Sequence, residues 1–132
     1  MFTVQQIKAA HSKVRSGADF PGYVQEIKAL GLIKYEFMVD DGRTIYFGPD
    51  NFQTEAPPIY PIKKIGPKPL TAKMKKDIRD HQAGRSDFPG ICALAAANGV
   101  HHWEVNTQTM LCSYYDVKGE KMITEPIPQG DY

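Results

Sequence analysis

The chain has 132 residues, of which 42% are hydrophobic and 23% charged, and its formal net charge is +1. That length fits one compact domain, and the near-neutral charge argues against a dedicated nucleic-acid-binding protein. No apolar run approaches the roughly 20 residues of a membrane span, no signal peptide is recognisable and two cysteines cannot form a disulfide framework, so we expect a cytoplasmic single-domain protein.

The sequence of the first half of the chain predicts two helices followed by a strand hairpin. Asp19 stands where the side-chain cap of the second helix belongs, and Gly31 is a typical left-handed C-terminal glycine. The first helix is expected to end at Ser16-Gly17. Alternating side chains indicate the strands, which turn at residues 40–42. The predicted elements are helices over 3–15 and 19–31 and strands over 32–39 and 43–48.

The second half repeats this pattern after a Pro-rich segment, 56–69, which we predict to be an extended linker and not a strand. Asp87 is the expected cap of its second helix, and Gly99 the expected C-terminal glycine. The predicted elements are helices over 70–83 and 87–99 and strands over 100–107, 110–116 and 121–125.

Direct sequence identity supports an internal duplication. Asp19-Phe20-Pro21-Gly22 recurs 68 residues later, and segments 17–48 and 85–116 share eight identical positions, where roughly two would be expected by chance. We predict two repeats, about 1–60 and 70–132, related by a pseudo-twofold axis. The expected fold class is α+β, with a mostly antiparallel sheet of four to six strands and the helices on its apolar face.

Four blocks of sequence also resemble one bacterial family. They are DFPGYVQEIKALGLIKYEFMVDDGRTIYFG, YPIKKI, HQAGRSDFPGICALAAANGVHHWEV and TMLCSYYDVKGEKMITEPIP. The family is similar over about residues 5–128 and is known as domain of unknown function 1398; some members carry the label phage envelope protein. The resemblance implies no activity, cofactor or catalytic residue, and the chain has no coiled-coil or collagen-like pattern that would support the label.

The polar faces of the two central strands hold the strongest catalytic candidates. Glu36 and Glu104 lie mid-strand, opposite the large aromatic side chains, and pseudo-twofold symmetry would bring them together. The residues expected beside them are Lys34, His102 and Asn106, with Tyr46 and Tyr114 reaching the same face across the hairpins. Such a set suits general acid–base chemistry, with Glu36, His102, Glu104 and Tyr114 as candidates. The alternative is a solvated sheet face with cross-strand ion pairs.

Other chemistry-bearing residues have structural explanations. Asp19 and Asp87 act as helix caps, and His11 and His81 complement helix dipoles as imidazolium ions. The residues expected in the core are Tyr35, Trp103, Cys92 and Cys112. Only His102 and Glu104 can share a metal ion, so we expect neither a metal nor a cofactor.

Charge is distributed unevenly along the chain. Segment 63–79 contains seven Lys and Arg residues and one Asp, a net charge of +6, which leaves −5 for the rest. Our main prediction is a non-enzymatic module that binds an unknown small molecule or protein. The alternatives are a small-molecule enzyme using the polar sheet face and, less expected, a nucleic-acid-associated protein using segment 63–79.

Overall fold

The computed structural model describes residues 2–14 and 19–127, which form four helices and one six-stranded antiparallel sheet. The helices are α1 (Val4–His11), α2 (Phe20–Ala29), α3 (Thr71–Gln82) and α4 (Phe88–Ala97). The strands are β1 (Lys34–Met38), β2 (Thr44–Phe47), β3 (Gln53–Ala56), β4 (His102–Asn106), β5 (Leu111–Tyr115) and β6 (Lys121–Pro126). The predicted α+β class is confirmed. Within the described ranges, none of the helices has the length and apolarity to cross a membrane.

Local sequence signals account for the start of α4 and for the ends of α2 and α4. The Asp87 side chain accepts a hydrogen bond from the Gly90 N–H at 2.8 Å, so this predicted cap is confirmed. Asp19 instead has helical backbone angles and does not form the equivalent capping bond with the described residues. Gly31 and Gly99 have φ values of 101° and 84°, as the C-terminal glycine pattern predicts. The first helix, expected to span 3–15, ends earlier, at His11 with Ser12 as its C-cap, and Ser16-Gly17 lie outside the described residues.

The sheet is symmetric in strand order about its centre. Its order is β3-β2-β1-β4-β5-β6, and every neighbouring pair is antiparallel. At the centre, Glu36 of β1 lies directly opposite Glu104 of β4. Each half therefore supplies two helices and three strands, an arrangement consistent with a pseudo-twofold axis between the two glutamates. The duplication itself stays a prediction.

The connection between the halves is hydrogen-bonded to both of them. Strand β3 occupies Gln53–Ala56, which the sequence did not indicate as a strand. Residues 57–70, here called the strap, follow it without regular secondary structure and bend at residues 60–61 and 67–68. Backbone hydrogen bonds join Ile59 to Asp41 at 3.0 Å and Gly66 to Ala96 at 2.8 Å. The strap therefore contacts the β1–β2 turn and the end of α4.

Aromatic side chains fill the space between the sheet and the helices. Phe37 stacks on Trp103 with ring centroids 4.5 Å apart, and Phe88 of α4 packs edge-on against Phe37 at 5.3 Å. Tyr23 of α2 contacts Tyr35 at 6.4 Å. The helices thus cover the aromatic face, and the predicted burial of Tyr35 and Trp103 is confirmed.

A buried polar cluster fixes α3 against α4. The amide of Asn98 donates a hydrogen bond of 2.8 Å to Asp77, and the Lys73 ammonium lies 2.9 Å from the same carboxylate oxygen. Burial acts to raise the pKa of Asp77, but the hydrogen bonds from Lys73 and Asn98 outweigh it and leave that pKa below its usual value. This cluster holds α3, and with it His81, over the sheet.

Candidate functional site

The polar face of the sheet brings three of the four predicted catalytic candidates together. Glu36 and Glu104 are direct cross-strand neighbours, and His102 is two residues from Glu104 on the same face. Both glutamates are half-buried, and the Lys34 ammonium lies 3.7 Å from the Glu36 carboxylate. The two glutamates are therefore neighbours on the sheet face away from the helices.

His102 is held in a stacked position at the end of this face. Its ring lies parallel to that of Tyr115, with centroids 4.8 Å apart, and its Nδ1 is 2.9 Å from the Nδ1 of His101. Burial lowers the pKa of His102 and His101 lowers it further, while Glu36 and Glu104 act in the opposite direction. The neutral imidazole is therefore favoured.

The expectation that Tyr46 and Tyr114 join the glutamates is wrong. In the observed registers Tyr46 lies opposite Tyr35, and Tyr114 lies opposite Trp103. Residues directly opposite each other in an antiparallel pair point to the same face, so both tyrosines lie on the helix-covered face. The acid–base set thus loses Tyr114 as its proton donor.

A partly open pocket on the helix side was not predicted from the sequence. A cavity of about 80 Å³ lies between the helices and β1, β4, β5 and β6; we call it the aromatic chamber. Its aromatic wall consists of Phe20, Tyr23, Tyr35, Phe88, Trp103 and Tyr114. A second cavity of about 100 Å³ adjoins it across His11, Tyr23, Tyr35, Phe88 and Trp103. All four helices contribute to the chamber wall.

His81 lines the chamber, and hydrogen bonds fix the orientation of its ring. Its Nδ1 lies 3.0 Å from the carbonyl oxygen and 2.8 Å from the hydroxyl of Ser86. Because a carbonyl can only accept, the bond to it places the proton of neutral His81 on Nδ1 and leaves a lone pair on Nε2. Burial lowers the pKa of His81, partly opposed by the Ser86 carbonyl and by Asp87.

His11 lies on the wall shared by the two cavities. Its ring packs edge-on against Tyr23 at 5.3 Å and Phe88 at 5.0 Å, and the described residues offer its ring nitrogens no hydrogen bond. Burial lowers the pKa of His11 as well. The expected imidazolium ions at the ends of α1 and α3 are therefore disfavoured, because burial acts against the charged ring.

Glu125 is the chamber residue that sequence reasoning missed. It lies opposite Cys112 in the β5–β6 pair, which places it on the helix-covered face at the edge of the sheet. Ala56, opposite Thr44, holds the corresponding register position in the first half, so the two halves differ at this position. Burial raises the pKa of the Cys112 and Cys92 thiols to about 12 each, which keeps both thiols protonated at neutral pH.

Two further predictions concern a metal site and the basic segment 63–79. In the described portion of the chain, no group of three or more His, Cys, Asp and Glu side chains could hold a metal ion. Segment 63–79 spans the strap and α3. Two of its lysines form ion pairs one helical turn away, Lys73 with Asp77 at 2.9 Å and Lys76 with Asp80 at 3.8 Å.

The chain matches the family described as Protein of unknown function (DUF1398) over residues 8–126, and it belongs to that family. The resemblance found in the sequence blocks is thereby confirmed. No curated protein matches the sequence.

Proposed function

We propose that this protein is a non-enzymatic binding protein that holds a small, largely apolar molecule in the aromatic chamber. The observation that carries the proposal is the chamber itself, an aromatic cavity with a few polar groups at its boundary. Small-molecule sites typically combine an apolar, aromatic wall with a small number of polar side chains that fix orientation. Besides the hydroxyls of its tyrosines and the Cys112 thiol, the polar groups here are His11, His81, Gln82 and Glu125.

The size of the chamber limits the ligand. A water molecule needs roughly 10–15 Å³ of accessible cavity volume. The chamber of about 80 Å³ therefore suits a molecule of about five to eight non-hydrogen atoms, and a longer molecule would extend into the adjoining cavity.

The single tryptophan of the chain supplies the test, because Trp103 lines the chamber. We expect phenol, toluene or another probe of this size to change Trp103 fluorescence in a saturable way and to raise the melting temperature. Ile78→Phe, which adds volume to the chamber wall, should weaken binding of the probe at least about tenfold. Val117→Phe, at an exposed position, is the matched control and should bind as the native protein does. If no probe gives a saturable response with the native protein, the proposal is wrong.

An enzyme that uses the polar sheet face is the second candidate, and the adjacency of Glu36 and Glu104 favours it. Carboxylates at neighbouring positions of one sheet face can serve as general acid and general base. In that case Glu104→Gln would abolish turnover of the substrate and leave probe binding in the chamber unchanged. If Ile78→Phe loses probe binding and Glu104→Gln has no effect on function, the binding protein is favoured.

A further inference from the structure

The aromatic chamber has an unbalanced charge pattern. No Lys or Arg belongs to its described lining, and Glu125 is the acidic residue of that lining. Burial lowers the pKa of His11 and of His81, so neither ring adds a positive charge at neutral pH. The chamber therefore offers one carboxylate and a set of aromatic side chains to its ligand.

Glu125 is available to a ligand. Among the described residues its carboxylate has no ion-pair or hydrogen-bond partner. It is half-buried at the edge of the sheet, beside Cys112, where a charge is screened less than in open water. A cation that lies against a carboxylate in such a place therefore stabilises its charge.

The aromatic wall of the chamber also favours a cation. The face of an aromatic ring carries partial negative charge and attracts cations, most strongly in the case of tryptophan. Trp103, Tyr23, Tyr35 and Tyr114 all line the chamber. Several aromatic side chains around one space are the usual way in which proteins recognise quaternary ammonium groups.

We propose, resting on the assignment of the chamber as the binding site, that its ligand is a small organic cation with an alkylated ammonium group. The alkyl groups lie against the aromatic side chains, and the positive charge lies near Glu125. A cation of about five to eight non-hydrogen atoms fits the space of about 80 Å³.

The adjoining cavity provides an internal contrast. Its lining contains Lys8 and no acidic residue among those described, and Ala56 occupies the position that corresponds to Glu125. The two cavities share an aromatic wall and differ in charge. The preference for a cation therefore belongs to the aromatic chamber and depends on Glu125.

The test compares choline with 3,3-dimethylbutan-1-ol, in which a carbon atom replaces the nitrogen and removes the charge without changing the shape. Both are titrated against Trp103 fluorescence at constant ionic strength, with sodium chloride as the blank. We expect the native protein to bind choline at least about tenfold more tightly. Glu125→Gln should remove this preference and leave the affinity for the neutral alcohol unchanged.

Glu120→Gln is the matched control, because it removes one negative charge from the exposed β5–β6 turn. It should retain the preference for choline. If the native protein binds the alcohol as tightly as choline, the cation inference is wrong and the binding function stands. If choline, the alcohol and the aromatic probes all fail to bind, both proposals are wrong. Since the comparison in the native protein is decisive, the result does not depend on folding of the variants.

Discussion

His11 and His81 stand at equivalent helix ends, yet different partners hold their rings. His81 is oriented by hydrogen bonds to Ser86, whereas His11 is held by ring contacts with Tyr23 and Phe88. Burial lowers the pKa of both rings. Each ring is therefore expected to resist protonation in the folded protein more than in the unfolded chain.

The difference between the folded and unfolded pKa of His11 predicts how the stability of the protein depends on pH. Because the pKa of His11 is lower when folded, its contribution to stability is fully present above its unfolded pKa of about 6.5 and is lost as pH falls through the folded value. His11→Phe keeps the ring contacts and removes the titration. We expect the free energy of unfolding to fall less between pH 7.5 and pH 5 in this variant than in the native protein.

Urea denaturation at both pH values measures the effect. Each unit by which burial lowers the pKa corresponds to about 1.4 kcal/mol at full protonation. Some acid sensitivity should persist in His11→Phe, because burial also lowers the pKa of His81 and His102. Identical pH dependence in the two proteins would contradict the interpretation of His11.

The central β1–β4 pair places two acidic residues at directly opposite positions. Glu36 and Glu104 lie directly opposite each other, and like charges in this position destabilise a sheet. Lys34, 3.7 Å from Glu36, offsets part of the repulsion. A protein that retains such a pair at the symmetric centre of its sheet gives up some stability there.

Glu104→Gln should therefore stabilise the fold. We expect the free energy of unfolding to rise by about 0.2–1 kcal/mol, with the larger gain at low salt, where charges are screened least. Glu55→Gln is the control, because Glu55 lies 3.2 Å from Arg43 and its removal should bring no gain. Thermal and urea unfolding at two salt concentrations measure both variants. A less stable Glu104→Gln would mean that the carboxylate makes favourable contacts that outweigh the repulsion.

The elements themselves were largely predictable from the sequence, because periodicity and capping are local. The cap at Asp87, the glycines at 31 and 99 and the aromatic face all follow from neighbouring residues. Strand β3 was missed because four residues before a pair of prolines give too little alternation. Strand register depends on how whole elements pack, and a shift of one residue moves Tyr114 to the other face.

The candidate site was less predictable for the same reason. Tyr35 and Trp103 were correctly placed under the helices, but a cavity forms only where packing between distant elements is incomplete. The chamber draws on all four helices, and Glu125 reaches it from an edge strand. No local pattern in the sequence carries that information.

The strap joins the two halves of the molecule. Its first part bonds to the β1–β2 turn, through Ile59 and Asp41. Its second part bonds to the end of α4, where Gly66 donates to Ala96 and Leu70 donates to Asn98, each at 2.8 Å. The strap thus positions α3 and α4, which form one side of the aromatic chamber.

Gly31 and Gly99 provide a matched pair that measures this contact. Both have positive φ, at 101° and 84°, so alanine should cost about 1–2 kcal/mol at either position from backbone strain. A Cβ at Gly31 meets no atom within 4 Å, whereas a Cβ at Gly99 would overlap the carbonyl of Lys68 in the strap. Because that backbone must move, we expect Gly99→Ala to cost about 1–3 kcal/mol more than Gly31→Ala in urea unfolding, and to weaken probe binding in the chamber. Equal losses of stability in the two variants would mean that the strap leaves α4 without cost, and the strap would then have no role in shaping the chamber.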